Sequence, residues 1–399
     1  MEQRKQEAKE QAETTIDRGH FQMVAITLQG LEEVLARELL NIGANDVRPV
    51  KRAVEFTADL DLVYKANLRI RTAIRIIKPL HHFRAANEDA LYDGIKAMDW
   101  SKIFDQDKTF LIRAAVSGDN FTHSQYVSLK CKDAIVDQFR ERTGTRPDVD
   151  TDDPDIVIHI KIFRDQVSVS LDSSGVPLHR RGYRQREAQA PLNECLAAGM
   201  LLIAGYEGKT DFIDAMCGSG TLCIEAALIA HRIAPGLLRD KFAFMHWKDY
   251  DESLFEVIRE ATANRVQEQP IKITGYDIDR ASVEMARKAV SHLSLEDLVS
   301  FEEGDFFEID PPAPPAILVM NPPYGERMQV AAIENMYKQI GDRLKKNYAG
   351  YQAWILSGNI DAMKNVGLRT FHTHHLLNGT IECRFSGYRM YTGAKYPQA

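Results

Sequence analysis

No run in this 399-residue chain reaches the ~18 apolar residues that a membrane span needs. The first twenty residues, Met1 to His20, alternate charges and lack the apolar core of a secretory signal. The chain is therefore expected in the cytoplasm, with no membrane partner. Cysteine is scarce: Cys131, Cys195, Cys217, Cys223 and Cys383 are an odd number without a C-x-x-C pair. That argues for reduced thiols rather than a disulfide framework or a zinc site, and no metal is assigned. Asn120-Phe-Thr and Asn378-Gly-Thr match the glycosylation sequon, a pattern with meaning only in a secreted chain, and both are expected to be coincidences. Excess positive charge is missing too. Lys plus Arg number 50 against 57 Asp plus Glu, a formal charge of −7, which rules out a uniformly basic nucleic-acid coat. What is present, 44% hydrophobic and 27% charged residues, is ordinary for a soluble globular chain, and the length suits two or three domains.

Residues 1–19 are mostly Glu, Gln, Lys and Arg and read as a flexible lead-in. Phe21 to Leu28 reads as a strand, Leu31, Val34, Leu35 and Leu39 repeat at helical spacing before Gly43, and Ala53 to Phe56 returns as a strand. A second cycle follows: Thr109 to Val116 as strand, His123 to Arg142 as helix, then strands Asp155 to Ile162 and Gln166 to Leu171 joined at Phe163-Arg164-Asp165. Ile156, Ile158, Ile160 and Ile162 mark one buried face there. Two small α+β units are expected. Asp172 to Ala190, with Gly175, Pro177 and Gly182, has no period and reads as a linker. From Pro191 onward, short apolar strands (Phe212 to Asp214, Ile271 to Tyr276, Ala316 to Met320, Ala353 to Leu356) alternate with long helices. That pattern predicts an α/β domain: a Rossmann-like, doubly wound parallel sheet covered on both faces. Gly379 to Phe385 and Tyr388 to Tyr391 are expected as antiparallel strands at one end of it.

The strongest chemical signal is Asp211-Phe-Ile-Asp-Ala-Met-Cys-Gly-Ser-Gly-Thr221, a strand running through a glycine turn into the helix Leu222 to Ile229. Gly218 and Gly220 remove Cβ atoms where backbone approaches a ligand, and the helix start offers free N–H groups to an anion. A dinucleotide site would want a third glycine where Cys223 stands, and a P-loop would want Gly-Lys-Ser/Thr. A ligand with an amino-acid end fits better: Asp214 attracts its ammonium and the turn Gly218-Ser219-Gly220-Thr221 its carboxylate. S-adenosylmethionine has both groups. The competing reading is a tight structural turn with Asp214 as a cap. In Gly275-Tyr-Asp-Ile-Asp279, Asp277 is placed to accept ribose hydroxyls with Ile278 beside it, while Asp279 is expected to cap the helix Arg280 to His292. Gly220 and Asp277 are 57 residues apart, so Ile233 to Val266 reads as an elaborated crossover. In Gly304-Asp-Phe-Phe307, Asp305 could accept from an adenine amino group with Phe306 on its ring, though an ordinary turn explains the pair equally well.

The strand Ile317 to Met320 ends in Asn321-Pro-Pro-Tyr-Gly325. The two prolines stiffen the chain and leave the Asn321 amide and the Pro322 carbonyl as fixed acceptors, followed by Pro323 and an aromatic, Tyr324. Such acceptors suit a planar amino group: they localise its lone pair and stabilise the charge that grows as it attacks a methyl carbon, while Tyr324 stacks on the base.

These motifs in this order resemble the class I S-adenosylmethionine-dependent methyltransferases of the N-P-P-Y amino-methyltransferase group. The N-terminal half resembles a THUMP domain preceded by a ferredoxin-like unit, and the whole is similar to bacterial 23S ribosomal RNA guanine-N2 methyltransferases. Leu178-His-Arg-Arg-Gly-Tyr-Arg184 and Ala190-Pro-Leu-Asn-Glu194 resemble that family's junction. The resemblance implies a lead-in over 1–19, a ferredoxin-like unit over 20–66, a THUMP domain over 67–172, a linker over 173–190 and a methyltransferase domain over 191–399. It also implies S-adenosylmethionine at Asp214, Gly218, Gly220, Asp277 and Asp305, catalysis at Asn321 to Tyr324, and RNA held by the N-terminal half. Large-subunit relatives can carry a second, fused methyltransferase; the chain ends at Ala399, so one activity is expected.

RNA needs local positive charge. Leu62 to Asn87 contains Lys65, Arg69, Arg71, Arg75, Lys78 and Arg84 and no acid, and Ser173 to Arg186 adds Arg180, Arg181, Arg184 and Arg186. Arg180, Arg181 and Arg184 are the favoured RNA contacts, with Arg71 and Arg75 as candidates that could equally form a solvated helical face with Lys78. His81 and His82 are expected to be structural. Guanine in ribosomal RNA leads as substrate, transfer RNA guanine follows, and protein glutamine, DNA adenine and a non-catalytic RNA-binding assembly factor are weaker alternatives.

Overall fold

A computed structural model describes residues 19–183, 192–324 and 330–391. The expected lead-in up to residue 18, Arg184 and Arg186 lie outside the described residues. The first elements are β1 (Phe21–Thr27), α1 (Glu32–Asn41), β2 (Asn45–Val50), β3 (Ala53–Ala58), α2 (Leu60–Arg69) and β4 (Ala73–Arg84). Then come α3 (Glu88–Ala97), β5 (Phe110–Ser117), α4 (Ser124–Thr143), β6 (Ile156–Phe163) and β7 (Gln166–Asp172). The strands form one seven-stranded sheet in the order β2-β3-β1-β4-β7-β6-β5. The two units read from the sequence therefore share a sheet. β4 joins them: Ala73 to Ile77 pairs with β1, and Ile77 to Arg84 pairs with β7. β2 and β4 escaped the sequence reading because each contains a proline. Pro49 sits in the edge strand, and Pro79 sits where the register shifts, the places a sheet tolerates it.

The second half contains α5 (Glu194–Ile203), β8 (Asp211–Asp214), α6 (Thr221–Ala230), α7 (Glu252–Ala263), β9 (Ile273–Asp277), α8 (Arg280–His292) and β10 (Ser300–Glu303). It continues with β11 (Ala316–Met320), α9 (Val330–Asn347), β12 (Gln352–Ser357), β13 (His372–Asn378) and β14 (Ile381–Arg389). The sheet order is β10-β9-β8-β11-β12-β14-β13, parallel from β10 to β12 and antiparallel beyond. The chain order reverses between β8 and β11, the switch point at whose carboxyl side an open α/β sheet offers a crevice. One strand, β14, covers most of the two segments expected at the C-terminal end, and its partner β13 was missed because His372-Thr-His-His carries no apolar alternation.

The crossover between α6 and β9 does more than connect. Phe242, Phe244, Trp247, Phe255 and Ile258 share one buried core with Tyr64 and the first sheet. The Tyr64 ring lies 4.7 Å from Phe244 and 5.6 Å from Phe255, and its hydroxyl accepts from the Asp251 N–H at 2.9 Å. Gly236 approaches α2 so closely that a Cβ there would sit 2.5 Å from Leu68 Cα. The linker is equally tight at its start: Asn67 donates to Ser173 Oγ at 2.9 Å and accepts from Ser174 Oγ at 2.8 Å, all three side chains buried.

Candidate functional site

β8 and β11 bring their carboxyl ends to the switch point, and a cavity of about 770 Å³ opens there. That is the size of a small-molecule site. Asp214, Gly218, Ser219, Thr221, Asp277, Ile278, Asp305, Phe306, Asn321 and Pro323 all line it. The segments read separately in the sequence thus converge on one space. Met216 and Leu222, from the glycine-turn segment, and Leu192, Met285 and Met336, which no motif announced and which arrive by tertiary packing, supply apolar wall.

The glycine turn is held from below. The Gly218 N–H donates to Asp277 Oδ2 at 2.8 Å, and the Asp279 N–H donates to Asp277 Oδ1 at 2.9 Å, so the end of β9 is tied to the turn after β8. Gly218 has φ +52 and nothing within 4 Å of where its Cβ would be, leaving that side open. Gly220 differs from expectation: it does not line the cavity. It opens α6 at φ +80, and a Cβ would meet Phe301 at 2.5 Å, so glycine is needed there for packing rather than for ligand approach. Asp279 caps α8, accepting from Ala281 and Ser282. Asp214 is 1% exposed; burial pushes its carboxyl up to about 8, with the neighbouring Asp277 charge adding to the rise. Such a group is ready for a cationic partner that would restore its charge.

Asp305 accepts from the Phe307 N–H at 2.9 Å, and Phe306 is buried against Tyr348 with rings 5.6 Å apart while still reaching the cavity wall. Asn321 Oδ1 is buried and has no hydrogen-bond partner among the described residues. A buried amide oxygen left unpaired costs free energy, so this atom is an acceptor awaiting a donor. Pro322 is buried, and Tyr324, next in the chain after the lining residue Pro323, does not itself line the cavity. The Tyr324 hydroxyl accepts from Asn378 Nδ2 at 2.7 Å, and burial pushes that hydroxyl up to about 12. Asn378, the first residue of the second sequon, thus helps to fix the tyrosine. Only the fold could reveal this, because 54 positions separate the two.

The arginines assigned to RNA need correction. Arg181 is 1% exposed: its Nε donates to Glu225 at 3.4 Å and its Nη2 to the Arg71 carbonyl at 2.6 Å. Arg71 donates to the Leu228 and Ile233 carbonyls at 2.9 and 2.7 Å. Arg75 is bonded to Asp172 and the Gly175 carbonyl. Arg71 and Arg181 fasten the two halves together from inside, while Arg75 ties β4 to the end of β7 and the start of the linker, so these guanidiniums are engaged within the fold. Nor do Arg71, Arg75 and Lys78 share a helix, since Arg75 and Lys78 lie on β4 and Arg71 precedes it. Arg180 remains exposed.

Residues 181–386 match the family model described as the RMKL-like methyltransferase domain, residues 85–172 the THUMP domain, and residues 22–77 the RlmL ferredoxin-like domain. The chain is 37% identical over 376 residues to slr0064 of Synechocystis sp., assigned by name as an RNA methyltransferase, covering 94% of this chain and 97% of that one. It is 37% identical over 364 residues to the ribosomal RNA large subunit methyltransferase K/L of Methylococcus capsulatus, covering 89% of this chain and spanning 49% of that relative's length. Among solved structures, SMU.472 complexed with SAH is similar with a TM-score of 0.86 at 29% identity, covering 94% of this chain and 99% of that one.

Proposed function

The chain belongs to the RMKL-like methyltransferase family, and from that footing we propose that it moves a methyl group from S-adenosylmethionine to the 2-amino group of a guanine in ribosomal RNA. Relatives named for the large ribosomal subunit support the substrate, the SAH held by SMU.472 supports the donor, and the THUMP match favours RNA over protein glutamine or DNA adenine. Transfer RNA guanine is the nearest competitor. Work on ribosomal RNA belongs in the cytoplasm.

One observation carries the reading: Asn321, whose buried Oδ1 has no hydrogen-bond partner among the described residues, lines the same cavity that the Asp214 to Gly218 turn opens into. The lone pair of an aromatic amine is delocalised and weakly nucleophilic. Asn321 Oδ1 and the Pro322 carbonyl accept its two hydrogens, localise the pair and stabilise the positive charge that develops on nitrogen. When bound, S-adenosylmethionine supplies an electrophilic methyl on a sulfonium. Asp214 and the start of α6 suit its ammonium and carboxylate, and Asp277 suits its ribose. Tyr324, held by Asn378, packs beside a base that has left its stack. No general base is needed, because the proton can leave to water after transfer.

The test is mass spectrometry of nucleosides from protein-free ribosomal and transfer RNA incubated with the protein and S-adenosylmethionine. N2-methylguanosine in the large-subunit RNA is expected. Methyl appearing in transfer RNA alone, or on adenine, would overturn the assignment.

A further inference from the structure

With Arg71, Arg75 and Arg181 engaged inside the fold, the positive charge that faces solvent is Arg180 together with residues of the first sheet. Residues paired across strands share a face of the sheet. Register therefore sets Arg113 beside His159, and Lys161 between Ala115 and Ser168, which in turn stands beside His82. Two residues further along, Phe163 and Arg84 flank Gln166 on the same side. The alternate positions, among them Ile112, Ile158, Ile160 and Val169, enter the buried core. α3 and α4 pack on that side of the sheet, and the side carrying Arg113 is covered at Val157, Ser170 and Asp172 but opens from Lys161 to Phe163.

Arg113, Lys161, His82 and Arg84 are all exposed. These rows contain no Asp or Glu. Asp172, one row below, is fully buried and already bonded to Arg75 and His159. Arg84 has Asp165 at 3.9 Å, whereas Arg113, Lys161 and Arg180 have no ion-pair partner among the described residues. Arg113 is held below the ordinary arginine range by burial and by the nearby Arg75 and Arg180 guanidiniums, so cations crowd there with one acid between them. At the far end Phe163 is 54% exposed, with the Arg164 guanidinium 5.4 Å from its ring centre. Like charges that outnumber the acids beside them, on a protein of net charge −7, favour an outside anion. A flat face with cations along it and an aromatic at its edge suits a polyanion with stackable bases.

We propose that this open face carries the sugar-phosphate backbone of the RNA substrate, with Arg113, Lys161 and Arg180 as its phosphate contacts. The proposal rests on the RNA-methyltransferase reading and adds the surface that holds the substrate.

The experiment compares the wild type with an Arg113→Glu, Lys161→Glu double variant in binding protein-free large-subunit ribosomal RNA across a potassium chloride series. Every phosphate that is no longer neutralised should flatten the plot of log affinity against log salt by roughly 0.7 to 0.9. The double variant should lose about 1.5 from the slope and at least tenfold in affinity at low salt. Its KM for RNA should rise, its kcat at saturating RNA should hold, and its affinity for S-adenosylmethionine should not change. Should the reversals unfold the chain, Arg113→Gln with Lys161→Gln tests the same contacts with a smaller loss of slope. A variant with wild-type slope and KM overturns the assignment of the face. A wild type that neither binds nor methylates RNA overturns the function beneath it instead, so the two failures are distinguishable.

Discussion

The chain contains two seven-stranded sheets that use opposite parts of themselves. The second is mainly parallel with helices on both faces, so its chemistry can gather only where strands end; Asp214, Asp277 and Asn321 all stand at or just beyond a carboxyl end. The first sheet is mixed, and over β4 to β7 its helices cover one side, which leaves the Lys161 and Phe163 end of the other side open for a large ligand. Full coverage confines a site to an edge and makes it small and deep. Half coverage makes it broad and shallow.

The sharpest way to break that comparison is Arg181→Ala. A cation buried against Glu225 belongs to the interior, and its loss should destabilise the fold by roughly 3 to 5 kcal/mol, read as a fall in the denaturation midpoint. If stability held and only RNA affinity dropped, the division between interior and open-face cations would fail. Next is Asn321→Ala, expected to lower kcat by ~10²- to 10³-fold in a methyl-incorporation assay while RNA affinity stays put, since one is a strand-end function and the other a face function.

A third test concerns pH. Asp214 has its carboxyl raised to about 8 in the ligand-free fold, so the folded state holds that proton more tightly than the unfolded chain does. Stability from this group is full below the ordinary carboxylate range and is lost as pH rises through about 8. Binding a donor ammonium needs the charged carboxylate, so affinity for S-adenosylmethionine should climb as pH rises toward about 8 and fall beyond it as the donor's own ammonium loses its proton. Asp214→Asn should flatten that climb in calorimetry. The smallest effect expected is from Asn378→Ala, which removes one hydrogen bond to Tyr324, worth about 0.5 to 1.5 kcal/mol. It should cost up to about tenfold in kcat with S-adenosylmethionine affinity unchanged, and Asn378→Gln should restore part of the loss if positioning is its role.

The strand-end site was legible in the sequence because its motifs are local: each is a strand, a turn and a helix start within a dozen residues. The face was not. Whether an arginine meets water depends on what packs over it, and Arg181 differs from Arg180 in nothing that composition records. Arg113 and Lys161 stand 48 positions apart and become neighbours only through the pairing of β5 with β6. The isoleucines at 156, 158, 160 and 162 revealed which side of β6 enters the core, but not that the other side opens only from Lys161 onward.

The aromatic crossover has a consequence for how the polypeptide is made. The core around Tyr64 is incomplete until Phe244, Phe255 and Ile258 arrive, nearly two hundred residues later. Domains usually fold in the order they are synthesised. Here the leading half must leave the ribosome with an unfilled hollow and wait, while the stretch through β8 and α6 is translated, for the trailing half to close it.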